Sequence, residues 1–407
     1  MSSIYVYVLY DKKIKRPCCV GIMDNNNIKV CELYRPGAGK IIKRIEDTVK
    51  IVRKIILKAN DNNRKIITND FKSLIKTFSL PIDMRKYNVY DQHLPDVAST
   101  NSLSKDHKFV RQVLDKMASK SIKKYHNIIA EAAVVYQDLE NNGVSVNHLP
   151  MHPTWSMKTF SGRSKTTGFN LQGMHENFHV TPNHDNESDV LIHFDWICAD
   201  IRVASIMSGD QRLKQAFKES DPYNVMMDYI NKDVELPTVG GFKGDVDKIS
   251  RNESKLYLLK SINSMDINSV ALTKVYPELG DWIYSCKSLI SSGKPLESLL
   301  GRKFRLARSK NELAVLNGIM QGSVAHAMHC TIRRIWEKLP TKMVGEIHDC
   351  LVMSSSPDKK EIKAIIDIVY PIMLNPFEGV VDDNPSFPLN VSIGKRWKSF
   401  KNYKTYR

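Results

Sequence analysis

Three observations predict a mixed α/β (α+β) fold. Short β-rich runs open the chain, long stretches of helical period fill most of the remainder, and two apolar strands later in the sequence each end or turn on an aspartate. A length of 407 residues suggests about two to three domains at roughly 150 residues each, enough to bury a substantial core. No internal repeat or long low-complexity run interrupts the pattern.

The elements run in order along the chain. Ile4 to Leu9, Cys18 to Met23 and Ile28 to Leu33 are β-rich runs separated by polar turns, which predicts a three-stranded meander. Ile41 to Leu57 has helical spacing, Asn60 to Asn63 breaks it, and Ile66-Ile67 starts another strand. Helical patterning returns from about Lys108 to Asn141 and stops at Gly143, a C-cap. The stretch from Leu149 to Met174 is irregular, and a domain boundary is placed near it.

Val190 to Phe194 reads as a strand ending on Asp195, followed by helical pattern to about Ile230 and a Gly-rich loop at Gly240 to Gly244. Further helices are expected over Ser250 to Asn263, with Ser250 as cap, over Glu278 to Ser292 and over Ser309 to Leu339. Met343 to Ile347, the pair His348-Asp349 and Cys350 to Met353 read as strand, tight turn and strand.

Composition narrows the partner. With 60 Lys and Arg against 44 Asp and Glu, a formal charge of +16 and a pI near 9.3, the expected partner is anionic, nucleic acid ahead of membrane. No apolar stretch of about 20 residues occurs, and Met1-Ser2-Ser3 lacks the features of a secretory signal, so a soluble cytoplasmic protein is expected. The seven cysteines form no C-x-x-C pair and read as reduced, packed thiols rather than zinc ligands or disulfides.

The candidate chemistry begins with Asp195 and Asp349, which strand ends would hold rigidly at one sheet edge, as two-metal phosphoryl transfer requires. Taken singly, each is also an ordinary solvated strand-end acid. Arg251, Lys255 and Leu259, spaced i, i+4, i+8, share a helix face from which a guanidinium and an ammonium could meet a triphosphate, although that spacing alone also describes a wet helix face. Ser161 to Thr167 is a small, hydroxylated, basic loop able to follow a phosphate backbone. Pro36 to Ile41 hints at a P-loop but has Tyr34 and Ile41 at essential positions, and Asp245 and Asp247 lack the rest of a calcium loop, so both are set aside.

Together these motifs resemble the family A DNA polymerases of the bacterial DNA polymerase I type. Ser161-Gly162-Arg163 through Asn170-Leu171-Gln172 resembles T-G-R-L-S-S-x-x-P-N-L-Q, with Phe169 for the proline. Asp195 through Arg202 is similar to the first metal motif, D-Y-S-Q-I-E-L-R, and Ser208-Gly209-Asp210, Leu213, Ala216-Phe217 and Asp221 continue the match. Arg251 and Lys255 match the fingers-helix R-x-x-x-K, Tyr276-Pro277 its Y-P, and Leu299 to Lys303 its T-L-x-G-R-R. Asn317 with Gln321-Gly322-Ser323 resembles N-x-x-x-Q-G-T, His348-Asp349-Cys350 resembles H-D-E, and Gly394 with Trp397 matches G-x-x-W.

The resemblance implies a right-hand palm and fingers over 161–407, fingers at about 212–290, behind an N-terminal ribonuclease H-like domain of the 3′-5′ exonuclease type over 1–105 and a helical connector over 106–160. It implies two Mg²⁺ ions, with Mn²⁺ as a substitute, held by Asp195, Asp349 and the backbone carbonyl of Trp196. Arg251 and Lys255 would grip the nucleotide, Lys255 donating a proton to pyrophosphate, with Asp200, Leu259 and Trp196 also in the nucleotide site. Arg163, Lys165, Arg202, Arg302, Asn317, Gln321 and His348 would face DNA.

Departures qualify this. Asp200 stands where the family uses a glutamate to exclude a ribose 2′-hydroxyl, Leu259 replaces an aromatic, Asn263-Ser264 replaces Tyr-Gly, and Cys350 replaces the second motif's glutamate. Residues 131–147 resemble the segment leading into the thumb, yet only residues 148–160 lie between Asn147 and Ser161, too few for the thumb's paired helices. Between Ser264 and Tyr276 only residues 265–275 remain for the outer fingers. The first hundred residues, with Asn69 to Lys72 and Val89 to Asp91, look like an exonuclease domain without its acids: Asp11 is followed by Lys12 and Lys13, and Ser73 stands where the next metal acid is expected.

The expectation is a compact template-directed DNA polymerase of viral or phage origin, without proofreading and distributive unless a processivity or replisome partner clamps the DNA. Its partners are a primed DNA template and dNTPs, without membrane, in a host cytoplasm. Two rivals stand beside it: an inactive palm kept as a DNA-binding replisome subunit, and a primase-like or RNA polymerase activity.

Overall fold

A computed structural model describes residues 3–10, 17–24, 27–32, 42–61, 64–68, 71–78, 80, 89–91, 124–174, 178–182, 189–219, 221–233, 248–263, 270–306, 311–380, 386–397 and 399–406. The Gly240 to Gly244 loop, the rejected 36–41 and 245–247 motifs, Asp11 to Lys13, Asn69-Asp70, Ser264, the 105/106 boundary and the helical pattern over 108–123 lie outside these residues.

The first meander is β1 (Ser3–Tyr10), β2 (Pro17–Asp24) and β3 (Asn27–Glu32), paired antiparallel. After α1 (Ile42–Asp61), β4 (Lys65–Thr68) joins parallel to β1, and after α2 (Phe71–Phe78), β5 (Val89–Asp91) joins parallel to β4. The sheet order β3-β2-β1-β4-β5 reflects the sequence: polar turns make hairpins, whereas parallel neighbours require a helical crossover.

The long helix α3 (Lys124–Asn142) ends at Gly143, whose φ of 66° and N–H bond to the Leu139 carbonyl complete the expected cap. The irregular stretch beyond it folds into short strands: β6 (Val144–Val146), β7 (Leu149–Met151), β8 (Thr154–Ser156) and β9 (Lys165–Thr167), with β10 (Val180–Pro182) pairing back on β6. Only three or so residues long each, they carry too little periodicity to be seen in sequence.

The second sheet positions the site. Its centre is β11 (Val190–Trp196), flanked by the hairpin β14 (Met343–Ile347) and β15 (Cys350–Ser355) on one side and by β16 (Leu389–Arg396) and β17 (Ser399–Tyr406) on the other, antiparallel throughout. Helices α4 (Ala199–Ser208), α5 (Gln211–Glu219), α6 (Pro222–Asp233), α7 (Arg251–Asn263), α8 (Val270–Val275) and α9 (Pro277–Ser291) come after β11. After the small hairpin β12 (Leu296–Glu297) and β13 (Lys303–Phe304), α10 (Glu312–Trp336) runs through the interior, and α11 (Lys359–Leu374) packs on the second sheet.

Helix α10 is buried on nearly every side, as its near-continuous apolar and small residues require, and Asn311 caps its start through Ala314 N at 2.8 Å. Buried apolar residues from Ile4 to Trp397 form one continuous core. Among the described residues, no helix is long and apolar enough to cross a membrane.

Candidate active site

The two aspartates meet. In the β11–β15 register Asp195 lies opposite Cys350, so Asp349, in the two-residue turn before Cys350, arrives beside it. His348, first in that turn, has a φ of 60°, a left-handed conformation costly for a residue with a Cβ, and its side chain is exposed. Carboxylate oxygens of Asp195 and Asp349 and the Cys350 sulfur lie within 4.8 Å of one another. The Cys350 thiol donates to Asp195 Oδ1 at 2.9 Å.

Burial pushes the Asp195 carboxyl up from its ordinary range and the Asp349 charge adds to this, while the Cys350 bond and the Lys255 charge pull it down. Two like charges in a half-buried site favour a cation between them, and two carboxylates are the hard donors that Mg²⁺ takes. The two carboxylates therefore fit the Mg²⁺ that the resemblance implies. Trp196 is fixed beside it, its indole N–H donating to the Met373 carbonyl at 2.9 Å and its ring edge-on to Phe387.

Helix α7 brings the cationic pair. A capping box starts it: Glu253 N–H donates to Ser250 Oγ at 3.3 Å and Ser250 N–H to Glu253 Oε2 at 2.7 Å. Asn231 pins the preceding residue to α6, exchanging bonds of 3.1 and 2.8 Å with Ile249. Arg251 and Lys255 are exposed on α7, and Leu259 on the same face is half-buried against the core.

The Arg251 guanidinium donates twice to Asp221 Oδ2, at 3.1 and 2.5 Å, and sits over the Tyr223 ring, centroid 5.1 Å away. Lys255 Nζ stands 6.0 Å from the same ring, and its charge reaches Asp195 and Cys198. Asp221 as the resting partner of Arg251, and Tyr223 as the platform beneath both cations, could not be assigned from sequence, because the pairing crosses a helix junction.

Arg163 and Asp200 also meet, Nη2 to Oδ1 at 3.4 Å. Asp200 lies in the first turn of α4, where the helix dipole favours an acid, yet burial raises its pKa, with Arg163 opposing and Asp349 reinforcing the shift. The other basic candidates divide. Lys165 is exposed on β9. Arg202 donates to the carbonyls of Ile197 (3.1 Å) and Ser386 (3.3 Å) and stacks on Phe217 at 4.0 Å, and its burial lowers its pKa to about 10.

Arg302 donates to the carbonyls of Ser161 and Phe160 at 3.0 Å each, tying down the loop that carries Arg163. Glycine permits this approach, since a Cβ at Gly162 would lie 2.2 Å from Arg302 Nη1 and one at Gly322 would lie 2.7 Å from the Phe304 ring. Asn317 and Gln321, one turn apart on α10, are half-buried, and Asn317 Oδ1 has no hydrogen-bond partner.

Compared by sequence, the chain matches no family model and no curated protein. Compared by structure, it is similar to the POL domain of Pol1 from M. smegmatis, solved in complex with DNA primer-template and dNTP. The TM-score is 0.59 at 12% identity, over 98% of this chain and 96% of that one. The fold is therefore that of a polymerase domain, of mixed α+β class.

Proposed function

We propose that the chain is a template-directed DNA polymerase extending a primer 3′-hydroxyl with dNTPs. The observation that carries this is the convergence of Asp195 and Asp349 at one sheet edge, with Arg251 and Lys255 on a helix beside them, in a chain of polymerase-domain fold. Mg²⁺ held by Asp195, Asp349 and the Trp196 carbonyl would activate the attacking hydroxyl and steady the leaving oxygen, with Mn²⁺ as a substitute.

The chain's own groups do the rest. Arg251 exchanges Asp221 for the nucleotide's phosphates, Lys255 moves with it and protonates pyrophosphate, and Leu259 supports the nascent pair. Arg163, Lys165, Asn317, Gln321 and His348 face the DNA, while Arg302 holds the loop from which Arg163 projects and Arg202 ties the segment after Trp196 to Ser386. The Asp200 side chain, shorter than glutamate and engaged by Arg163, supports weak discrimination against ribonucleotides. Comparing dNTPs and NTPs on primed and unprimed templates separates this reading from a primase-like one.

The N-terminal sheet, with its two parallel strands added to an antiparallel meander, supports a ribonuclease H-like lobe. The lobe lacks the acids for proofreading in our reading. Short strands occupy the chain between α3 and Ser161, which supports the absence of a thumb and distributive synthesis without a processivity or replisome partner. A viral or phage replication role in a host cytoplasm belongs to the same proposal.

The test is extension of a labelled primer with Mg²⁺ and dNTPs under excess trap DNA, comparing wild type with Asp349→Ala. Short products that vanish in the variant are expected. Long products despite the trap would overturn the distributive reading. Intact DNA binding with no extension by wild type would leave the inactive replisome subunit.

A further inference from the structure

Glu346 lies on β14, three residues before Asp349, and is 3% exposed. Ser164 Oγ donates to its Oε1, whereas its Oε2 is buried without a hydrogen-bond partner. Gln172 closes the cluster, its amide nitrogen donating to Ser164 Oγ at 3.1 Å and to the Glu346 carbonyl at 3.3 Å, while its Oε1 accepts from Thr166 N–H at 3.1 Å. Tyr136 from α3 and Arg163 from the loop face the same carboxyl, and the Cys350 thiol of β15 feels its charge. Burial pushes Glu346 up to about 7.

A buried carboxyl is a poor fastener, since an apolar side chain of similar volume would hold two segments together at lower desolvation cost. What the carboxyl provides is direction. Its acceptor fixes Ser164, and Ser164 is bonded in sequence to Arg163, whose guanidinium meets Asp200. Arg302 holds the near side of the same loop, Thr159 ties Gly162 and Arg163 together within it, and Glu346 is its side-chain tie to the hairpin that carries Asp349.

We propose that Glu346 is a positioning residue for the Asp195/Asp349 site: through Ser164 it sets the Arg163 loop against the hairpin that carries Asp349, and so aligns the primer terminus with the catalytic carboxylates. The proposal rests on the polymerase reading. It predicts a division of labour, because the nucleotide's phosphates are held from α7 and do not depend on this contact.

The experiment is single-turnover primer extension by the full chain at saturating primer-template and varied dNTP, for Glu346→Leu, Glu346→Gln and Ser164→Ala. Misplacement on the order of 1 Å costs up to about a hundredfold in rate. Glu346→Leu and Ser164→Ala should therefore lower the maximal rate about 30-fold. The apparent dNTP affinity should change less than about threefold, because uniform binding is untouched. Glu346→Gln, whose amide oxygen still accepts from Ser164, should recover most of the rate.

Thermal unfolding identifies a variant that fails to fold, and Ser164→Ala, which removes one oxygen, then carries the test. A Ser164→Ala variant as fast as wild type, or rate and dNTP affinity falling together, would overturn the proposal. Failure of wild type itself to extend primers would overturn the polymerase reading and this proposal with it.

Discussion

Replacing Glu346 with Gln should stabilise the protein above neutral pH while leaving it almost unchanged in acid. In the folded chain the carboxyl titrates at about 7, against an ordinary value of 4.5, because burial disfavours its charged form. The folded state therefore binds the proton more tightly than the unfolded state does. Stability from this group is fully present below about pH 4.5 and is lost as pH rises through about 7.

A difference of about 2.5 units at 1.36 kcal/mol each amounts to about 3 kcal/mol, borne by wild type alone. Urea unfolding at pH 5, 6, 7 and 8 measures it, with tryptophan fluorescence as the probe. Trp155 packs on Gly345 and stacks on Tyr136, so it reports on this region. The difference between the two proteins should grow in favour of Glu346→Gln with each step and level off near pH 8. Curves that stay parallel over this range would refute the reasoning, since every other titrating group is common to both.

Asp195→Ala and Asp349→Ala should each lower primer extension by at least about a thousandfold with DNA affinity retained, measured by gel extension and fluorescence anisotropy. Asp221→Ala should free Arg251 and lower the apparent KM for dNTP severalfold in steady-state kinetics, whereas Arg251→Ala should raise it about tenfold or more. Lys255→Ala should act mainly on kcat, by about a hundredfold, with an altered pH–rate profile. Gly322→Val should force the Phe304 ring and the Ser161 backbone away from α10 and cost about 1 to 3 kcal/mol, read by denaturant unfolding.

Much of this molecule was legible in its sequence. The meander, the α1 crossover, β11, α7 and the β14–β15 hairpin each had either a clean period or strong turn residues, and they fall within a few residues of the expected bounds. Asp195 and Asp349 could be paired because both sit at strand ends, where position is set by register. The strands between Asn142 and Thr167 were missed, being too short for alternation to register.

The partners were missed as well. Asp221 with Arg251, Arg163 with Asp200, and Ser164 with Glu346 join residues up to 182 positions apart, and no local pattern marks them. The resemblance implies that Arg202 and Arg302 face DNA, and no local pattern in the sequence marks the bonds that both also donate to main-chain carbonyls.

The ammonium of Lys72, on α2, donates both to the Glu140 carboxylate and to the Trp155 carbonyl. That carboxylate, almost wholly enclosed, also accepts the Trp155 N–H at 2.6 Å, and the Trp155 ring underlies Gly345 on the strand leading to Asp349. Pruning the N-terminal lobe would strand an anion in the interior of the half that remains, one residue removed from the β14–β15 hairpin through Trp155. The lobe is thus the other half's counter-ion, and a minimal version of this protein cannot be made by cutting it away.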